Sequence, residues 1–186
     1  MTLSHSQLDQ ALRETGARLK NRGIRTRVRL YLVGGSAGML SGFLSESRST
    51  GDVDVATVDP DSCWEAVREA AAEVAQAFDL PETWLNDDCR MFAWCLPLGW
   101  IDRCQSSLVH GPLSIHLIHR QDFIAAKVVS APGRPQDFAD ILAAKPTPEE
   151  LAFAEEHIDR LEQEHLNPDY SFRDARDILR VLRGNP

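Results

Sequence analysis

Tyr31-Leu32-Val33-Gly34-Gly35-Ser36-Ala37, followed by Arg48-Ser49-Thr50-Gly51-Asp52-Val53-Asp54-Val55, is the stretch on which the reading of this chain turns. Val28 to Val33 is an apolar, β-branched run stopped by two glycines, the pattern of a buried strand. Small and apolar residues over 36–45 suggest a short helix. Asp52 to Ala56 alternates polar and apolar residues, as a second strand does. A strand that ends in Gly-Gly and opens a helix lets backbone approach phosphate oxygens closely. Glycine has no Cβ in the way, and the first N–H groups of a helix attract anions. Side chains at i and i+2 of a strand share a face, so Asp52 and Asp54 project together and can share a hard cation while Val53 points inward. Alone, the glycines describe a tight turn and the aspartates a solvated face; the two together are more specific. No Gly-Lys-Ser/Thr follows the glycines and no GxGxxG is present, which excludes a Walker loop and a dinucleotide fingerprint.

Outward from this segment, residues 5–21 read as a helix with Gly23 as its stop. Asp59-Pro60 reads as the start of a helix to about Phe78, with Trp64, Val67, Ala71, Val74 and Phe78 facing the core. Residues 79–89 read as loop, including Trp84-Leu85-Asn86-Asp87-Asp88. Two or three strands fit Met91 to His119, the clearest being Leu113 to His119. Helices follow over 120–130, from Pro135, from the capping box Thr147-Pro148-Glu149-Glu150 to about His165, and over 171–183. This order predicts an α+β fold, a mixed sheet flanked by helices with a helical C-terminal part. Residues 1–145 would form the core and 146–186 a helical extension packed on it.

The 186 residues carry 20 Lys and Arg against 28 Asp and Glu, a formal net charge of −8. That balance argues against broad binding to nucleic acid and against duplex DNA as a partner. Arg13, Arg18, Lys20, Arg22, Arg25, Arg27 and Arg29 form a basic run, and residues 149–164 an acidic one. Both read as solvated helix faces, or as a basic rim beside an anionic substrate, or as an acidic helix docked on a basic one. Cys63, Cys89, Cys95 and Cys104 match no zinc spacing and are expected to be reduced. No apolar run suits a membrane span, and MTLSHSQLDQ lacks a signal-peptide pattern, so a cytoplasmic protein is expected.

Leu30 to Val55 resembles the nucleotidyltransferase superfamily, with its Gly-Gly or Gly-Ser turn followed by Asp-x-Asp. Arg48 and Thr50 ahead of the aspartates look most like the AbiEii-type branch, which includes toxins of toxin–antitoxin pairs. Lys127, Arg134, Asp137 and Asp140-Ile141 are similar to that branch's downstream motif, so the likeness spans about residues 28–142. It implies a nucleotidyltransferase-like core in which Gly34, Gly35 and Ser36 bind the triphosphate of an NTP, beside Arg48 and Thr50. It also implies that Asp52 and Asp54 hold Mg2+, that Lys127 contacts phosphate or orients the site, and that Asp137 and Asp140 support it. Snorkelling explains Lys127 equally well, and a helix's first turn explains Asp137.

Active members usually carry a third carboxylate on a later strand. The clearest later strand, around His116, has no acid. Asp102 is the only acid in a plausible strand context and is the candidate for that role; His116 reads as a partly buried group or a metal ligand. Two functions follow. One is a Mg2+-dependent transfer of a nucleotidyl group from an NTP to an RNA, protein or small-molecule acceptor, with a toxin-like role and an antitoxin-like partner as its setting. The other is a catalytically incomplete module that binds a nucleotide or a partner.

Overall fold

The computed structural model describes residues 2–164 and 172–184. Among them a five-stranded mixed sheet has the order β3-β2-β1-β5-β4. Its strands are β1 (Val28–Val33), β2 (Val53–Asp59), β3 (Leu85–Asn86), β4 (Gln105–His110) and β5 (Leu113–Leu117). β1 is antiparallel to β2 and parallel to β5, β3 is parallel to β2, and β4 is antiparallel to β5. The helices are α1 (His5–Asn21), α2 (Gly34–Leu40), α3 (Trp64–Phe78), α4 (Trp100–Arg103), α5 (Arg120–Ser130), α6 (Pro135–Ala144), α7 (Pro148–Glu164) and α8 (Arg173–Leu182). The fold is the expected α+β one, a mixed sheet with flanking helices and a helical C-terminal part. No helix among the described residues is long and apolar enough to cross a membrane. His165 and residue 171, the expected end and start of two helices, lie outside the described residues.

The chain divides into two compact units, Met1–Met91 with Ile101–Ile118, and Phe92–Trp100 with His119–Pro186. α5 and α6, placed with the core by the sequence reading, belong to the second unit, where α5 packs on α6, α7 and α8.

In the first unit the two sheet faces differ sharply. Val28, Leu30, Leu32, Val55 and Ile115 are fully buried, while their strand neighbours Arg29, Tyr31, Asp54, Thr57 and His116 are half-buried. Alternation along each strand produces this division. α1 packs on α3 and on β4 and β5, burying Leu8, Leu12 and Leu19. Gly16 permits that approach, since a Cβ there would run into the His110 carbonyl of the β4–β5 turn. The basic run on α1 is met by α3: Arg18 pairs with Glu73 at 2.9 Å, and Arg22 with both Glu69 and Glu73. The acidic partner of α1 seen here is therefore α3.

Several expectations are corrected. β2 continues through Asp59, which pairs with Arg29 across the strands, so Asp59 is no helix cap; α3 begins at Trp64 after a 3-10 turn over Asp61–Cys63. α2 begins at Gly34 and stops at Leu40, because Gly42 turns the chain with φ 72°. Residues 85–86, read as loop, form β3 beside β2, anchored by the buried Trp84, whose indole N–H donates to the Ala71 carbonyl at 3.0 Å. Asp102 lies on helix α4: the turn at Pro97, where its carbonyl accepts from the Trp100 N–H at 3.1 Å, launches helical turns instead of a strand.

The second unit holds its charges in pairs. The capping box of α7 is formed, with the Thr147 N–H donating to Glu150 at 2.9 Å and the Glu150 N–H to the Thr147 hydroxyl at 3.3 Å. The acidic surface of α7 is answered by Arg176, on Asp159 and Glu162 at 2.6 Å, and by Arg183, on Glu155 at 2.9 Å. These pairs are exposed and worth little each. His157 differs, because it is buried, with its Nε2 2.8 Å from the Cys95 carbonyl.

Burial depresses His157 to a pKa of about 4, so the folded protein keeps the imidazole neutral and donating. The unfolded chain, with an ordinary value near 6.5, binds a proton that the folded state refuses. Stability is therefore complete above the unfolded pKa and falls as the pH drops toward 4, by up to about 3 kcal/mol from this one group. Urea unfolding at pH 7 and pH 4.5, on wild type and His157→Gln, measures the slope. We expect a flatter response in the variant; equal slopes would refute the assignment.

Candidate nucleotide and metal site

β1 passes directly into α2 with no loop between. The junction is Gly34 at φ 70°, a left-handed value that glycine adopts without strain. The first backbone N–H groups of α2 have no partners within the helix, so they face whatever lies ahead of it. Ser36 is buried and its hydroxyl donates to the Val33 carbonyl at 3.4 Å, which leaves its backbone, not its side chain, to meet a ligand.

Asp54, the second residue of β2, sits beside Val33 on β1. Its carboxylate packs against Gly34: a Cβ at Gly34 would clash with Asp54 Oδ2 and come within 3.4 Å of its Cγ. The glycine turn and the Asp-x-Asp, separated in sequence, thus meet. Asp52 is exposed and stands one residue ahead of the strand. Thr50 holds that approach in place, for its hydroxyl donates to the Asp52 carbonyl at 3.2 Å. Thr50 is itself buried and bridged to Leu3, through N–H···O distances of 2.6 and 3.1 Å. Arg48 is half-buried, with one guanidinium N–H on the Ser49 carbonyl.

On the other side of Asp54 the sequence reading missed a neighbour. β3 places Asn86 in register with Asp54, so an amide occupies the next strand position beside the carboxylate. That amide is engaged locally, accepting from the Asp88 N–H at 3.1 Å and donating to the Thr83 carbonyl at 3.3 Å. A two-residue strand has no periodicity to read. The one available signal was the apolar pair Trp84-Leu85 ahead of it. Cys89 follows; burial first, then the charge of Asp54, raises its thiol to about 12, so it stays protonated.

Among the described residues no three His, Cys, Asp or Glu side chains converge as a metal-binding group. Mg2+ is commonly held by one or two carboxylates together with substrate phosphates and water, and two hard oxygen donors, Asp52 and Asp54, fit that chemistry. Asp102 is exposed on α4, and its charge is felt by Tyr31, whose phenol is raised by burial first.

Lys127, Asp137 and Asp140 lie in the second unit and contact one another. The Lys127 ammonium donates to Asp137 and, at 2.9 Å, to Asp140. Ser130 adds a hydroxyl to Asp137 at 2.8 Å, Arg134 a guanidinium at 3.2 Å, and Gln136 an amide to Asp140 at 3.0 Å. All three central groups are buried.

A family model described as a nucleotidyltransferase of unknown function (DUF6036) matches residues 10–162. The chain belongs to this family. The matched region takes in the Gly34–Asp54 contact as well as the Lys127 cluster, so both are features of a nucleotidyltransferase-family chain. No curated protein and no solved structure matches the chain.

Proposed function

We propose that this nucleotidyltransferase-family chain is a Mg2+-dependent enzyme that transfers a nucleotidyl group from an NTP to a hydroxyl acceptor. The contact of the Asp54 carboxylate with Gly34 carries the reading, since a helix start suits an anion and the carboxylate next to it suits a hard cation. The N–H groups at Gly34, Gly35 and Ser36 receive the triphosphate, with Arg48 and the Thr50-braced backbone next to it. Asp52 and Asp54 hold magnesium, which supplies charge neutralisation for the phosphates when bound. The acceptor oxygen attacks the α-phosphorus, the bond to pyrophosphate breaks, and the hydroxyl proton leaves to a carboxylate, for which Asp102 is the candidate. Lys127 fixes α5 to α6 within the helical unit. An acceptor of RNA, protein or small-molecule type, an AbiEii-like toxin role with an antitoxin-like partner, and a cytoplasmic setting complete the proposal.

One observation favours a second reading, a nucleotide- or partner-binding module without catalysis: Asn86, not an acid, stands beside Asp54. Calorimetry with each NTP, with and without Mg2+, tests the common ground on wild type and Asp52→Ala/Asp54→Ala. Binding that needs magnesium and disappears in the double variant is expected. Absence of binding by any NTP to the wild type would sink both nucleotide readings. Release of labelled pyrophosphate then separates enzyme from module.

A further inference from the structure

The half-exposed sheet face that carries Asp54 also carries a cross-strand row with no assigned use. In register across β2, β1, β5 and β4 stand Thr57, Tyr31, His116 and Ser106. The Tyr31 and His116 rings stack, 5.0 Å between centroids and 29° between planes. Ser114 fixes the imidazole through a 3.0 Å contact of its hydroxyl with Nε2. Directly paired residues share a sheet face, so this row lies on the same face as Asp54, two β1 positions from Val33. At about 3.3 Å of rise per residue, Tyr31 is roughly 10 Å along β1 from Gly34.

A stacked pair on a half-open sheet face offers a flat π surface, and every nucleobase has a π-face to lay on it. The hydroxyls of Thr57 and Ser106 flank the pair as donors and acceptors. The electrostatics suit a ligand that is neutral at this end: burial, with Arg29 and Arg27, lowers His116, so its ring is uncharged at neutral pH. Resting on the proposed function, we infer that the Tyr31–His116 stack is the platform for the base of the bound NTP, whose triphosphate reaches back along β1 to Gly34. The row chooses the ring, and the Gly34–Asp54 contact holds the phosphates.

The test compares each NTP with inorganic tripolyphosphate, both with Mg2+, by calorimetry on wild type, Tyr31→Ala, Tyr31→Phe and His116→Ala. Tyr31→Ala and His116→Ala should weaken NTP binding by about tenfold. Tyr31→Phe should keep wild-type affinity, and tripolyphosphate should bind all four proteins alike. The chain has two tyrosines, so ring-labelled protein gives a Tyr31 signal identified by its loss in Tyr31→Phe. That signal should move upfield on adding NTP and stay in place on adding tripolyphosphate, a readout independent of any folding defect in the alanine variants. Unchanged NTP affinity in Tyr31→Ala, or an unmoved Tyr31 resonance in a wild type that binds NTP, overturns the platform alone. A wild type that binds neither NTP nor tripolyphosphate overturns the platform together with the site reading beneath it.

Discussion

Lys127→Met is expected to destabilise the protein by about 3–5 kcal/mol, read as a drop in urea-unfolding free energy at pH 7. The reason is what the substitution leaves behind. Asp137 and Asp140 have side chains 5% and 2% exposed, and both are served by the one ammonium. Methionine fills the space of the stem yet supplies no charge, so two carboxylates remain in a low-dielectric interior. Ser130, Arg134 and Gln136 still reach them, but each offers one contact and Arg134 is largely in water. The penalty belongs to the uncompensated charges and not to the value of the pair, which a second variant separates. Lys127→Met/Asp137→Asn/Asp140→Leu removes the three buried charges of this cluster and should recover most of the loss. A single-variant deficit below about 1 kcal/mol would show that water already solvates the cluster.

The buried triad also shows where the sequence was legible and where it was not. Lys127, Asp137 and Asp140 were visible as a spaced pattern, but a pattern of charges does not say whether they meet a ligand or one another. Only packing decides that, here by burying the three together within the helical unit. Val28 to Val33 was legible for the opposite reason: an apolar β-branched run between breakers has few alternatives, and the strand has the expected bounds. The capping box at Thr147 is equally local and equally legible. Asp102 was misread because a single acid within Gly99-Trp100-Ile101-Asp102-Arg103 carries no period to separate strand from helical turn. Asn86 beside Asp54 had only the apolar pair Trp84-Leu85 to announce its strand, and the Tyr31–His116 row had no signal, since each depends on which strands become neighbours, a property of the whole sheet.

At the site itself, Gly34→Ala is the sharper probe of the Gly34–Asp54 contact. Removing a carboxylate tests whether charge is needed; adding one methyl tests whether the arrangement is. Two penalties coincide at this position. An alanine at φ 70° is strained, by roughly 1 kcal/mol, and its Cβ meets the Asp54 carboxylate. The carboxylate is the far end of a side chain, so it can swing aside and the fold survives. In swinging it leaves the helix start at Gly34, and the shared site for metal and phosphate is lost. We therefore expect Mg2+-dependent NTP binding to weaken on the order of a hundredfold, while unfolding free energy falls by only about 1–3 kcal/mol. Gly35→Ala provides the contrast, because Gly35 is not among the positive-φ glycines and its backbone accepts a Cβ without that strain. Equal NTP affinity in wild type and Gly34→Ala would mean the nucleotide does not use this junction, however closely the carboxylate and the glycine are packed.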